Sequence, residues 1–164
     1  MNPKPTLHFF CGKMASGKST LARTLAQEKN TVLISEDLWL SQLYSEEIKE
    51  FSDYLKYSSR LKAVLSPHIQ DLLRQGISIV LDFPGNTPSQ RNWFRSIFEA
   101  VEANHILHSI VASDELCKRQ LKIRSQNLPE GSAFTTEKEF EAITQYFQPP
   151  TPEEGFNIKI YKRE

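Results

Sequence analysis

Cysteine is nearly absent. The two thiols in 164 residues are Cys11, in an apolar strand run, and Cys117, in a helical one, and neither C-x-x-C nor H-E-x-x-H occurs. That excludes a disulfide framework and the common thiolate and histidine metal sites, and leaves both as small buried hydrophobes of a reducing compartment. Long apolar runs are missing too. Met1-Asn2-Pro3-Lys4-Pro5 leads into about five apolar residues, too few for a signal-peptide core or a membrane span, so a cytoplasmic location without a membrane partner is expected. Net charge is nil, with twenty basic side chains against twenty acidic. No global field would therefore draw in nucleic acid or an anionic membrane, although a local basic patch stays open. There are no repeats and no low-complexity tract, and the four histidines have no ligand spacing. The length suits one domain, residues 1–164.

What is present is a phosphate-loop pattern. Gly12-Lys13-Met14-Ala15-Ser16-Gly17-Lys18-Ser19 satisfies G-x-x-x-x-G-K-[ST], the Walker A spacing, and its context fits: Leu7 to Cys11 before it is a strand run, Ser19 to Ala26 after it is helix sequence. Gly12 and Gly17 let consecutive N–H groups turn inward on an anion at a helix N-terminus. Lys18 is then expected on the β- and γ-phosphates and Ser19 on Mg²⁺, with Thr20 closing the nucleotide-binding segment. ATP and Mg²⁺ are the cofactors this implies.

Further strands are expected at Thr31 to Ile34, covered on both faces, at Ile77 to Asp82, at His105 to Val111, and at Phe156 to Tyr161, the last alternating as a half-exposed edge. Between Leu38 and Gln75 the pattern is helical and interrupted at Ser66-Pro67, where Ser66 reads as the N-cap of a new helix. Thr87-Pro88-Ser89-Gln90 and Thr136-Glu137-Lys138-Glu139 are capping boxes, and Ser113 with Asp114 and Glu115 opens another helix. Phe94, Ile97, Phe98 and Val101 share a stripe with Arg91, which therefore points at the sheet edge. Residues 125 to 135, without periodicity, read as a loop, and a lid is placed around 119–136. Five strands alternating with helices give an α/β three-layer sandwich with a mainly parallel sheet.

Phosphoryl transfer asks for positioning, charge stabilisation and a group that orients the nucleophile. Asp37, just past the second strand, could accept the acceptor's hydroxyl proton; the other reading has Glu36 or Asp37 capping the next helix. Asp82, ending the third strand, suits ordering of Mg²⁺ through water or binding of a substrate hydroxyl, or else closes a turn before Pro84. Asn86 and Arg91 are candidates for gripping the acceptor, and Arg91 could equally pair with a carboxylate. Arg119 and Arg124 flank the lid but cannot share a helical face; Arg124 is favoured over the phosphates, and Lys118 with Lys122 reads as a solvated pair.

On Gly12 to Ser19, Ile34-Ser35-Glu36-Asp37, Leu81-Asp82 with Asn86-Thr87-Pro88 and Arg91, and Arg119 to Arg124, the chain resembles P-loop kinases of the group that includes polynucleotide 5′-kinase, zeta toxin and chloramphenicol phosphotransferase. The resemblance implies the P-loop nucleoside triphosphate hydrolase fold with sheet order 2-3-1-4-5, Asp37 as general base and Arg124 near the lid arginine. Polynucleotide kinases of this kind place a basic residue shortly after the base, whereas here Leu38-Trp39-Leu40 follows. That favours a small acceptor, or one that stacks, over a polyanion, with the 5′-hydroxyl end of a nucleic acid kept as an alternative.

The expected function is a Mg²⁺-dependent ATP-binding phosphotransferase. A P-loop ATPase and a non-catalytic nucleotide-binding module are the alternatives. A GTPase fits Asp82-Phe83-Pro84-Gly85 as D-x-x-G, but no N-K-x-D exists to read guanine.

Overall fold

The strand Leu7 to Cys11 is apolar on both faces because it lies in the middle of the sheet. In a computed structural model, which describes residues 4–128 and 136–164, β1 (Thr6–Cys11) pairs in parallel with β3 (Ser78–Asp82) on one side and β4 (Asn104–Ala112) on the other. β2 (Thr31–Ser35) and β5 (Ile158–Arg163) complete a five-stranded parallel sheet of order β2-β3-β1-β4-β5. Alternation along β1 divides the core. Leu7, Phe9 and Cys11 join the larger cluster with α3 (Phe51–Arg74) and α4 (Pro88–Ala100), while Phe10 and Val80 pack on Ala22 of α1 (Lys18–Leu25). α2 (Glu36–Leu43) follows β2 directly; α5 (Asp114–Ser125) and α6 (Glu137–Thr144) stand over the carboxyl end of β4. The centre of the expected lid, residues 129–135, lies outside the described residues.

Two expectations are corrected. β2 is an edge strand, and Val32, expected to be covered, is 43% exposed; a short apolar run has the same look at an edge as at the centre. The helix expected to restart at Ser66 does not: α3 runs unbroken through Pro67. A proline inside a helix costs about 3 kcal/mol, but Leu61, Leu65, Ile69 and Leu73 form one buried stripe across it, each worth about 1.5–3 kcal/mol. Ser66 Oγ donates to the Lys62 carbonyl at 2.7 Å instead of capping a new helix. Ser113, Thr87 and Thr136 are N-caps, accepting from Leu116, Gln90 and Glu139 N–H groups, but the box expected at Thr87 does not close, because Gln90 Oε1 accepts from Asn86 N–H at 2.8 Å.

A polar chain crosses the α1 face of the sheet. His8 Nδ1 and His108 Nε2 are 2.9 Å apart, and His108 Nδ1 and the Tyr161 hydroxyl 2.8 Å apart. Burial, with the charges of His8 and Lys159, pushes His108 down to about 4 from 6.5. A depressed histidine is protonated more readily when unfolded, so its contribution is full above pH 6.5 and is lost as pH falls toward 4. Urea titrations should show a loss of about 2 kcal/mol across that window. In His108→Gln the slope should flatten; an unchanged slope would mean that the pair does not govern acid stability.

Candidate nucleotide and phosphotransfer site

The loop after β1 keeps its shape through contacts that leave its inner side for an anion. Ser16 N–H donates to the Lys13 carbonyl at 3.1 Å, and the loop turns through positive φ at Ala15 (62°) and Gly17 (108°). At Gly12 a Cβ would stand 2.7 Å from Ser16 Oγ and 3.3 Å from the Ile110 carbonyl oxygen, so any side chain there would displace the Ser16 hydroxyl. Asn86 Oδ1 accepts from Gly12 N–H at 2.9 Å and fixes the loop to the end of β3. Lys13 Nζ pairs with Asp114 at 2.6 Å, and Met14 and Ala15 pack on Cys117, Leu121 and Phe140, which brings α5 and α6 over the loop.

Lys18 donates to the Gly12 and Lys13 carbonyls at 2.5 and 2.8 Å. Its ammonium is enclosed, and that burial pushes it down to about 8 despite the opposing charge of Asp82. Ser19 Oγ donates to Asp82 Oδ2 at 2.8 Å. Three features fit a bound triphosphate: among the described residues Ser16 Oγ is buried with no partner, α1 has no side-chain cap, and the Lys18 cation has only carbonyl acceptors. The Ser19 hydroxyl and Asp82 carboxylate are hard oxygen donors of the kind Mg²⁺ takes.

A family model described as AAA domain matches residues 7–150. The chain belongs to the AAA domain family. No curated protein matches it. Among solved structures this AAA domain is similar to a candidate kinase of Chloroflexus aurantiacus, at 17% identity and TM-score 0.74 over 98% of this chain and 89% of that one. It is similar also to PezAT of Streptococcus pneumoniae, a chromosomal toxin-antitoxin system, at 18% identity and TM-score 0.68 over 98% and 69%. Kti12 of Chaetomium thermophilum, in complex with ADP-AlF3, follows at 15% identity and TM-score 0.66 over 96% and 88%. The fold is that of a P-loop kinase-like domain.

Within this AAA domain Asp37 is brought to the loop. Ser35, not either acid, is the N-cap of α2, accepting from Leu38 N–H. Glu36 turns inward, 1% exposed, and accepts from Ser58 Oγ at 2.7 Å and from the Tyr54 hydroxyl. Asp37, the exposed one of the two acids, lies near enough to Asp82, Arg124 and Lys18 for their charges to act on it. Enclosure by the protein and then the Asp82 carboxylate raise its carboxyl above 3.8, while Arg124 and Lys18 oppose the rise. Arg124 is exposed on α5, yet its charge acts on both Asp37 and Lys18. Arg119 is exposed.

Other expected contacts are corrected. Arg91 is fully buried and not open to an acceptor: it pairs with Glu154 at 2.8 Å and donates to the Gly85 and Gln148 carbonyls at 2.9 Å each. It ties the segment after α6 to the loop after β3. Arg91→Met should cost about 3–5 kcal/mol in urea unfolding, because Glu154 and two carbonyls lose their partner. Full stability with impaired acceptor binding would restore the substrate role. Asn86 spends its carbonyl oxygen on Gly12 and so acts first as a loop brace. Leu38 and Trp39 line a shallow apolar groove with Gln42 and Leu43. Lys118 is no free solvated charge, since it bonds Glu141 on α6 at 2.9 Å.

Sequence reasoning missed Arg163. At the end of β5, opposite Ala112, it donates to the Ser16 carbonyl at 2.7 Å and lies over Gly17, where a Cβ would clash with its Nη1. Nothing local in Tyr161-Lys162-Arg163 signals that reach.

Proposed function

We propose that this domain is a Mg²⁺-dependent phosphotransferase that moves the γ-phosphate of ATP to a hydroxyl of a small-molecule acceptor. The observation that carries it is the approach of Asp37 to the phosphate loop, near enough for the charges of Asp82, Arg124 and Lys18 to act on its carboxyl beside the larger effect of burial. A module that only bound nucleotide would have no use for a carboxylate there.

In this reading the loop's main-chain amides up to Thr20, other than those of Gly12 and Ser16 that brace the loop, hold the phosphates, and Lys18 leaves its carbonyls to bridge the β- and γ-oxygens. Ser19 and Asp82 would hold Mg²⁺, which supplies charge neutralisation between those phosphates when bound. Asp37 accepts the acceptor's hydroxyl proton as its oxygen approaches the γ-phosphorus, and ADP carries away the electrons of the broken P–O bond. Arg124 stabilises the charge spread over the transferring group.

The test is transfer of label from γ-phosphate-labelled ATP to nucleosides, sugars, antibiotics and 5′-hydroxyl oligonucleotides, with Asp37→Asn as blank. Labelled acceptor in the wild type alone supports the reading. Label released only as inorganic phosphate, equally by both proteins, would make the domain an ATPase.

A further inference from the structure

The ends of β3, β4 and β5 each hold a different part of the phosphate loop. Asn86, in the loop after β3, accepts from the Gly12 N–H, and Asp114, which opens α5 after β4, pairs with Lys13. Arg163, the last residue of β5, donates to the Ser16 carbonyl at 2.7 Å. β5 is well anchored for that reach. Arg163 pairs with Ala112 of β4, and Tyr161, two residues earlier and so on the same face of the sheet, is tied to His108. His108 stacks on Phe10, which packs on α1, so this is the face that α1 covers, and Arg163 meets the loop where α1 begins.

The third contact differs from the other two because it fixes a peptide plane. No peptide bond is cis among the described residues, so the carbonyl of Ser16 and the N–H of Gly17 point opposite ways across one plane. A guanidinium on the carbonyl thereby sets the direction of that N–H, and by polarising the peptide makes it a stronger donor. Ser16 is held at its other end as well, its N–H donating to the Lys13 carbonyl at 3.1 Å. With both main-chain groups of Ser16 engaged, its buried Oγ has no partner among the described residues, and the Gly17 N–H meets no acceptor there. A hydroxyl and an N–H kept open on one pinned peptide suit a phosphate oxygen.

We infer that Arg163 is a positioning residue for the nucleotide's phosphates, holding the peptide between Ser16 and Gly17 in the plane that presents the Gly17 N–H and the Ser16 hydroxyl to them. This rests on the nucleotide-binding half of the reading above and not on transfer. Acting through the loop, Arg163 affects a triphosphate equally with and without adenosine attached.

The test is displacement of a fluorescent ADP, in Mg²⁺, by ATP and by inorganic tripolyphosphate. Arg163→Met should weaken both competitors by the same factor, about tenfold or more, and Arg163→Lys should recover part of the loss, since an ammonium can still donate to the carbonyl. Lys162→Met removes an equal charge from the opposite face of β5 and should alter neither affinity by more than about twofold. The nucleotide-free melting temperature of Arg163→Met should stay within about 2 °C of the wild type, because the side chain is exposed. Weaker ATP with unchanged tripolyphosphate would put Arg163 on the base or ribose and overturn the inference. Equal losses in Lys162→Met, or a loss accompanied by a clear fall in melting temperature, overturn it too, as an effect of net charge or of the fold. Tripolyphosphate that fails to displace ADP from the wild type also counts against it, since a loop held ready for phosphate does not need the base. A wild type that binds no ADP overturns the nucleotide reading itself; one that binds ADP and is indifferent to Arg163→Met overturns this inference alone.

Discussion

Lys18→Met is expected to yield a protein that is more stable than the wild type without nucleotide and nearly inactive with it. The wild-type ammonium is enclosed against the Gly12 and Lys13 carbonyls and held down to about 8 from 10.5. The folded state bears the cost of that desolvated charge fully below pH 8, and the cost vanishes as pH rises toward 10.5. Discounted for the partly open side-chain stem, the gain at neutral pH is about 2 kcal/mol, or roughly 4–8 °C in melting temperature for a chain of this size. Methionine keeps the stem's packing. Activity falls by about 10³-fold, the scale seen when one preorganised donor to developing charge is removed. Thermal melts at pH 7 and pH 10 check the sign, since the advantage of Lys18→Met should shrink at the higher pH. A destabilised variant would mean that the cation is well compensated before nucleotide arrives.

Asp37→Asn tests the other half of the site. General-base removal costs about 10²–10⁴-fold in kcat, while MgATP affinity should hold or tighten, because a negative charge near the γ-phosphate is gone. The wild-type pH profile carries the same information. The base works only when ionised, and enclosure and Asp82 disfavour the ionised form. The acid limb of kcat/KM should therefore lie above the ordinary aspartate range and fall tenfold per pH unit below it. Loss of that limb in Asp37→Asn, with residual activity flat in pH, identifies the group; a limb that persists belongs to another acid.

Features written over a few neighbouring residues were legible in the chain. The loop from Gly12 to Ser19, the caps at Thr87, Ser113 and Thr136, and acids at the ends of β2 and β3 all depend on local spacing. Long-range choices were not. Pro67 reads as a helix start until the sheet beneath α3 supplies a continuous apolar surface that overrides it. Arg91 announces its inward direction but not whether Glu154 or a substrate fills its guanidinium. Arg163 reaches Ser16 across 147 positions, and Lys62 meets Trp93 only because α3 lies beside α4. Glu36 and Asp37 look alike in sequence; which one turns inward is decided by Tyr54 and Ser58.

The most direct test of the account is a crystal structure with Mg²⁺ and a non-hydrolysable ATP analogue. Lys18 Nζ should have left the Gly12 and Lys13 carbonyls for the β- and γ-phosphate oxygens. The γ-phosphorus should stand about 5–6 Å from the Asp37 carboxylate, the space an attacking hydroxyl needs between them. A γ-phosphate facing away from Asp37, or a Lys18 still bound to its own loop, would contradict phosphotransfer at this site.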